Sequence, residues 1–506
     1  MNASTSGNLI IPAASVLLFK SQSSSELYIV RRSPSLRFFG GFLAFPGGKT
    51  APADADVPVR SAIRKVPTDR LVAAARELFE ETGILIAHHE DGSFPSSGSE
   101  LTSWRHVLTT QESNFAQLLN QHCLHIHEAD FQWLGNVRTP PFAPLRFDTS
   151  FFLSYLPPGQ KAEIWPGELD QGFWSTPAEV LKLWTDGDCL VSPPSIVILK
   201  GLPDTPMKEA PRYLQNLIHS QSPTEIPPIY FAPEVCLVPL HTQALPPTSY
   251  TNAYLVGREK AFLIDPGCAD LNEQEKLFRY VDAFIQGSGR IQAILLTHQH
   301  IDHVGAASAC AHRYHLPILA HPTTAKALDG QLEVNDTIHD GDRLELGTAP
   351  DKSGPWHLEA LHTPGHASGH LAFYEPHYRL LFAGDMVSTV SSVVIAPPDG
   401  DLSVYLQSLQ RLRALDCRLL FPGHGGVSSC PRKTIEMCIA HRVQREEQLL
   451  AALATGPRRM NDLLVEVYKG VPEKMMKFAR LQLLAGLQKL EREGKALTNQ
   501  DHWELL

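Results

Sequence analysis

Apolar positions fall into two regimes along the chain, with a proline-rich stretch between them. In the first, PAASVLLFK (12–20) and LYIVR (27–31) are short β-branched and aromatic runs on either side of a serine-rich turn, which predicts a β-hairpin. FFGGFLAFPGG (38–48) bends at its glycines, and the APADADVPVRSAIRKVP that follows sustains no period. DRLVAAARELFEET then predicts a helix capped by Thr68 and stopped by Gly83. A hydroxyl can accept from the first free N–H groups of a helix, and glycine tolerates the left-handed conformation that ends one. A second helix is expected over 111–119 and a strand over 145–155. LPDTPMKEAPRY and QSPTEIPPIY make 201–235 the expected linker, with one weakly helical stretch inside it.

From Cys236 onward short apolar runs alternate with helical patterns. Strands are expected at 253–257, 260–265, 291–297, 316–320, 357–363, 370–375 and 378–385, and helices at 272–284, 304–314 and 403–414. Such alternation predicts an α/β domain with more than one sheet. After LLFPGHG (419–425), HRVQREEQLLAAL, MNDLLVEVY and PEKMMKFARLQLLAGLQKLEREG predict three helices, and KALT a small hairpin wing. The expected organisation is a first domain at 1–200, a linker at 201–235, a second domain at 236–430 and an extension at 431–506, together an α/β and α+β multidomain protein.

Composition narrows the class of function. With 506 residues, 43% apolar and 19% charged, the chain needs more than one core and is neither disordered nor fibrous. A net charge of -10 offers no whole-chain attraction to nucleic acid or anionic lipid. Eight scattered cysteines without a C-x-x-C pair predict reduced thiols. The first residues lack a basic segment followed by an apolar run, and no apolar stretch of about 18 residues occurs, so a soluble cytoplasmic protein without a membrane span is expected.

In ARELFEETGIL, Glu77, Glu80 and Glu81 stand at i, i+3 and i+4, so three carboxylates share one helical face. A hard divalent cation such as Mg²⁺ would relieve their repulsion and could work between them and a substrate phosphate. The alternative is a solvated acidic face with Arg76 as counter-charge. Arg76 to Ile84, with FPGGK (45–49), resembles the Nudix box. That resemblance implies an α-β-α sandwich that cleaves linked nucleoside diphosphates with Mg²⁺ or Mn²⁺, Glu77, Glu80 and Glu81 being catalytic metal ligands. Two departures stand out. Gly48 lies 28 residues before Arg76, twice the ordinary separation, and Thr68 replaces the glutamate usual eight residues before the arginine. Asp69 is one residue off, and Asp54, Asp56 or Glu168 could compensate. The enlarged box, RRSPSLRFFGGFLAFPGG, RTPPFAPLRFDTSFFL (138–153) and the acidic segment Glu163 to Glu168 before Trp174 resemble the coenzyme A diphosphatase subgroup. Arg146 and Asp148 would bind substrate there or form an internal ion pair. If the lost glutamate is not replaced, this domain would instead be a non-catalytic sensor of a nucleotide or coenzyme A that regulates the other domain.

THQHIDH places His298 and His300 two residues apart after an expected strand, where alternate side chains project the same way. Asp302 and His303 follow at the turn into a helix. His366 in HTPGHASGH, Asp385 in LFAGDMV and His424 in FPGHGG each lie near an expected strand end and beside glycine. Imidazoles and carboxylates in that number suffice for two metal ions, and two ions about 3.5–4 Å apart can activate water and stabilise developing charge.

These segments resemble the metallo-β-lactamase-fold hydrolases over about 236–430, implying an αββα sandwich. The resemblance assigns His298, His300 and His366 to one metal, Asp302, His303 and His424 to the second, Asp385 as the bridge, and Asp302 a catalytic part. Asp265 in FLIDPG would support the site, while His362 and His370 would be supporting or solvent-facing. Two Zn²⁺ suit the ligands, with Mn²⁺ or iron as alternatives. TNAYLVG, THQHIDHVG and the tail AHRVQREEQLL to LQKLEREGKA are similar to the β-lactamase-like protein 2 group with its C-terminal winged helix. Members of that group cleave single-stranded RNA, and nearby families hydrolyse hydroxyacyl thioesters. A metal-dependent hydrolase of a phosphodiester or thioester, fused to a Nudix diphosphatase, is therefore expected. Its partners would be a small nucleotide, a coenzyme A derivative or thioester, or single-stranded RNA.

Overall fold

The structure, a computed structural model, describes residues 10–36, 39–61, 66–141, 143, 145–202, 208–219, 228–499 and 502–506. It divides into two compact units, Met1–Pro233 and Glu234–Leu506. All eight cysteines are free, and among the described residues no helix is long and apolar enough to cross a membrane.

The main sheet of the N-terminal unit runs, edge to edge, Leu190–Val191, Phe42–Ala44, Leu27–Arg32, Ile10–Phe19, Arg146–Tyr155 and Gln132–Arg138. Ile10–Phe19 and Arg146–Tyr155 pair in parallel, from Ile10 opposite Arg146 to Phe19 opposite Tyr155. Side chains alternate along a strand, so each strand can feed two cores. Val16 and Leu18 join Leu71, Ala75, Leu78 and Phe79 of the helix Thr68–Thr82 on one face. Leu17 and Phe19 join Trp184, Ile196 and Leu214 on the other. Helices thus cover both faces, as an α-β-α sandwich requires.

Two expectations need correction. Thr68 does not cap the helix: Pro67 occupies the cap position and Thr68 is the first helical residue, because the fixed proline φ already sets the turn into the helix. The helix expected over 111–119 begins only at Phe115 and runs to Gln121; it is separated from a preceding helix, Ser99–Thr109, where Gln111 takes φ 62°, and Asn114 caps it by accepting from the Gln117 N–H at 2.9 Å. Inside the stretch 201–235, the weakly helical segment expected there is the helix Ala210–His219, whose Leu214 and Ile218, four residues apart, are buried in the second core. Residues 203–207 and 220–227 of that stretch lie outside the described residues, as do Arg37 and Phe38 of the glycine-rich bend and residues 142 and 144 of RTPPFAPLRFDTSFFL.

In the C-terminal unit one sheet includes Val235–His241, Tyr250–Val256, Ala261–Ile264, Ile291–Leu295, Ile318–Ala320 and Asp336–Thr337 in that order. A second sheet holds Arg343–Thr348, Pro355–His362, Leu371–Glu375, Leu380–Ser388 and Leu419–His424. They pack through Tyr254, whose ring meets Phe382 and Phe421 edge-on and whose hydroxyl donates to the Pro422 carbonyl at 2.6 Å. The helix Leu271–Gln286 buries Leu277, Phe278 and Val281, and Leu402–Arg413 buries Tyr405, Leu409 and Leu412 beneath the second sheet. The tail comprises the helices Pro431–Leu453, Met460–Val467 and Met476–Arg492 and a wing in which Ala496–Asn499 pairs with His502–Leu505. Its own core centres on Leu449, Leu453, Leu463, Leu483, Leu487 and Trp503.

Arg105 locks the end of the helix Thr68–Thr82. Its guanidinium, in a residue only 3% exposed, donates to the carbonyls of Glu80, Glu81 and Glu163 at 2.8–2.9 Å, satisfying last-turn groups that have no partner within the helix. Arg105→Met should lower the stability of the N-terminal unit by about 3 kcal/mol, since charge-assisted hydrogen bonds are lost and buried carbonyls are left unpaired. Urea unfolding of the full chain, followed by tryptophan fluorescence, measures that shift.

Candidate metal centre and carboxylate site

Five imidazoles and two carboxylates converge at one end of the C-terminal unit's paired sheets. The strand Ile291–Leu295 ends before His298 and His300, so a loop, not strand alternation, brings them together. Asp302 and His303 lie in the short helix Ile301–Val304, and His366 follows the strand Pro355–His362. Asp385 lies within Leu380–Ser388, where the register shifts past Phe382, and His424 ends Leu419–His424.

Hydrogen bonds at the outer ring nitrogens set the orientation of four imidazoles. Carbonyls of Val394 and Tyr250 accept from Nδ1 of His366 and His424 at 2.7 and 2.8 Å. Asp265 Oδ2 lies 2.8 Å from His303 Nδ1 and also accepts the Thr297 hydroxyl at 2.7 Å. That leaves the Thr297 oxygen to accept from His298 Nδ1 at 2.9 Å. A carbonyl or carboxylate can only accept, so each Nδ1 carries the hydrogen and each Nε2 faces inward. His298 Nε2 and His366 Nε2 both lie within 3.0 Å of His300 Nδ1. Asp385 Oδ1 is 3.3 Å from both His303 Nε2 and His424 Nε2, whereas its Oδ2 is 3.7 Å from His366 Nε2. Asp302 Oδ2 faces His424 Nε2 at 3.4 Å.

The residues fit divalent ions. His303 Nε2 and Asp385 Oδ1 are buried without a hydrogen-bond partner, an arrangement that leaves donor atoms unused unless a cation takes them. One ligand atom each from His298, His300 and His366 falls within a 4.8 Å cluster, and so do those of Asp302, His303 and His424. Burial holds the first three rings below the usual imidazole range, His300 at about 4. At His424 burial acts the same way, but Asp385 and Asp302 outweigh it and lift the ring to about 10. One half therefore favours neutral rings, and the carboxylates of the other half favour a positive charge beside them, whether of a proton or of a metal ion.

Supporting residues surround these ligands. Asp265, at φ 48°, sits in the left-handed region that a non-glycine residue seldom adopts, and this aims its carboxylate at both Thr297 and His303. His370 is fully buried, and its Nε2 accepts the Asp385 N–H at 3.1 Å while its Nδ1 meets the Thr363 hydroxyl at 2.9 Å, so it positions the Asp385 backbone. A Cβ at Gly423 would lie 2.5 Å from Asp385 Oδ1, which explains the glycine before His424. His362 instead stacks on His321, with ring centroids 4.1 Å apart.

In the N-terminal unit, Glu77, Glu80 and Glu81 share one face of Thr68–Thr82 and border a cavity of about 1100 Å³ with Arg32, Asp54, Trp165 and Glu168 in its walls. Arg76 binds Asp54 at 2.8 Å, Glu77 at 2.9 Å and Glu80 at 3.0 Å, and Glu81 accepts the Gly47 N–H at 2.8 Å. A Cβ at Gly48 would lie 2.4 Å from the Glu77 carboxyl carbon, so a larger residue there would push that carboxylate aside. Burial, partly offset by Arg76, pushes Glu77 up to about 7, and burial with the Glu77 charge lifts Glu81 well above the carboxylate range. Of the candidate replacements for the lost glutamate, Asp54 and Glu168 line the cavity. Asp56 is exposed, and neither it nor Asp69, 3.9 Å from Arg70, is in its walls. Asp148 pairs with Arg70 at 3.2 Å and Arg138 at 3.5 Å, while Arg146 donates to the Thr139 carbonyl.

A protein of Drosophila melanogaster named Beta-lactamase-like protein 2 homolog is 30% identical over 260 residues, covering 48% of this chain and 83% of that one. The pattern of the metallo-beta-lactamase superfamily matches residues 246–424. The chain belongs to that superfamily. This metallo-beta-lactamase superfamily hydrolase also matches the NUDT19 Nudix domain over 60–202 and the beta-lactamase associated winged helix domain over 460–503. An Aspergillus chevalieri protein named Atrochrysone carboxyl ACP thioesterase is 31% identical over 245 residues, 45% of this chain and 71% of that one. Among solved structures, a metallo-beta-lactamase family protein from Thermus thermophilus is 26% identical with a TM-score of 0.45, covering 54% of this chain and 99% of that one. A NUDIX hydrolase from Alicyclobacillus acidocaldarius is 28% identical with a TM-score of 0.36, covering 39% and 92%.

Asp265→Asn should weaken divalent-ion binding by roughly 10–100-fold without unfolding the unit, since it reduces the pull on the His303 ring while keeping the side-chain shape. Competition with a chromophoric chelator gives the affinity directly.

Proposed function

We propose that the C-terminal site is dinuclear and hydrolyses a thioester. In this reading His298, His300 and His366 hold one ion, Asp302, His303 and His424 the other, and Asp385 offers one oxygen to each. The carrying observation is the pair of unused donors, His303 Nε2 and Asp385 Oδ1, facing each other in a pocket toward which the neighbouring imidazoles also turn a ring nitrogen. Zn²⁺ suits the mixed imidazole and carboxylate set, with Mn²⁺ or iron able to take similar ligands. Such ions supply Lewis acidity toward the scissile carbonyl and lower the pKa of water. The protein's own part is to hold the imidazoles neutral on one side, to keep Asp385 between the two groups, and to place Asp302 where it can take a proton from the attacking water. The thioesterase name of the Aspergillus relative supports a thioester, and a net charge of -10 gives no pull toward RNA. A phosphodiester in single-stranded RNA is the second reading.

For the N-terminal unit the reading is a diphosphatase for a nucleotide or coenzyme A derivative. Glu77, Glu80 and Glu81 would hold Mg²⁺ or Mn²⁺, with Asp54 or Glu168 in place of the glutamate that Thr68 replaces. Buried carboxylates on a wide cavity support this, because a divalent cation and a diphosphate would balance their charge. A sensor that binds without cleaving is the alternative.

Asp302→Ala should reduce acyl-coenzyme A hydrolysis by at least roughly 100-fold, with the melting temperature nearly unchanged, because a ligand at a cleft is not an apolar core contact. A panel of acyl-coenzyme A thioesters and single-stranded RNA tests the bond: cleavage of RNA alone by the unaltered protein would favour the second reading. For the other unit, Glu81→Gln should abolish Mg²⁺-dependent diphosphate cleavage of coenzyme A or ADP-ribose, followed by product mass, and leave thioester hydrolysis intact. Tight binding without cleavage by the unaltered chain would make that unit a sensor.

A further inference from the structure

A third cluster of ligand-type side chains lies in the N-terminal unit, and none of its members lines the carboxylate cavity. His88 follows the helix Thr68–Thr82 by a short extended run and exchanges backbone hydrogen bonds with His125 at 2.8 and 2.9 Å. Two residues on, His127 pairs opposite Arg60, and the turn Glu128–Asp130 returns Asp130 to the same place. The rings of His88 and His127 stack with centroids 4.4 Å apart.

The hydrogen-bonding of His88 does not close by itself. Its Nδ1 lies 2.9 Å from the Gly92 carbonyl oxygen, and its Nε2 lies 2.8 Å from Asp130 Oδ2. A carbonyl oxygen only accepts, so Nδ1 carries the hydrogen, and a neutral ring then points a lone pair at a carboxylate that also has only lone pairs. Two acceptors so close need a cation between them: either a proton, making His88 an imidazolium, or a metal ion. A proton satisfies His88 and Asp130 alone. It leaves His127 Nε2, which is buried and has no hydrogen-bond partner, still unused. A metal ion takes all three, for one ligand atom from each of His88, His127 and Asp130 lies within 4.8 Å of the others. Bonds of about 2.0–2.1 Å at tetrahedral angles put ligand atoms about 3.3 Å apart, inside that range.

We propose that His88, His127 and Asp130 bind one divalent transition-metal ion of the zinc class, with a fourth position left to solvent. Asp130, with its side chain 27% exposed, is the route by which the ion enters. Bound there, the ion ties the segment leaving the carboxylate helix to the segment 125–130, a cross-link between parts of the chain about 40 residues apart in sequence.

The test uses the full chain, stripped with chelator, reloaded with excess Zn²⁺, desalted and counted by plasma mass spectrometry. His127→Gln and Asp130→Asn should each retain one Zn²⁺ fewer than the unaltered protein, and the Zn²⁺-dependent rise in melting temperature of the N-terminal unit should shrink in both. Asp130→Asn lies at the surface and keeps the side-chain shape, so the test stands even if His127→Gln fails to fold. Equal zinc counts in Asp130→Asn and the unaltered protein, with equal melting shifts, would overturn the proposal and leave His88 and Asp130 as a proton-bridged pair. Because the readout is a difference, an empty C-terminal centre lowers every count alike and leaves that difference unaffected.

Discussion

Asp385 carries a carboxylate into a largely buried pocket, and its two oxygens face different imidazoles. Removing such a charge from water costs several kcal/mol unless positive charge or strong donors stay within reach. Much of the C-terminal unit meets that demand. The two sheets bring four loops to one end, Gly423 lets a strand pass against the carboxylate, and His370 grips the Asp385 backbone from behind. Carbonyls of Val394 and Tyr250 and the carboxylate of Asp265 fix the rings from outside. The tail takes part at one remove, since Arg442 and Gln482 donate to the Val393 carbonyl, one residue before the carbonyl that orients His366.

The N-terminal unit meets a similar demand with a different device. Arg76 is a single guanidinium shared by Asp54, Glu77 and Glu80, and its planar fork can serve several carboxylates at once where a lysine could serve them only as a point charge. Glu81 lies beyond its reach and relies on the Gly47 amide. The cluster is held in place while still carrying more negative than positive charge, the condition under which a cation and an anionic substrate bind together.

What could be read from the sequence and what could not divide along a physical line. Glu77, Glu80 and Glu81 are a helix turn apart, and helical periodicity alone places them on one face. His298, His300, Asp302 and His303 are neighbours in sequence, and their convergence was legible even though a loop, not a strand, arranges them. The roles of Arg105 and Val394 were not legible, because each acts on a group brought near only by the folded sheets, and for His370 the sequence left a supporting and a solvent-facing role both open. Asp54 was one of several carboxylates that could have replaced the missing glutamate, and choosing it over Asp56 needs the observation that one is buried against Arg76 and the other exposed. His88 and His127 gave no signal, since their spacing matches no local period. The helix inside 201–235 was legible only as a weak helical stretch among prolines, and its strength lies in Ala210, Leu214 and Ile218, which repeat every four residues.

The grip of Arg76 on Asp54 also bears on how the length of the intervening chain can vary. The entropic cost of closing a flexible loop grows only with the logarithm of its length, about 0.6 kcal/mol for each doubling. A separation of 28 residues between Gly48 and Arg76 is therefore cheap to tolerate, provided the ends stay fixed. Asp54 fixes them early: it ties the chain back to the carboxylate helix 22 residues before Arg76. Insertions or deletions downstream of Asp54 could accumulate over evolution without shifting the register of the glycines against Glu77 and Glu81.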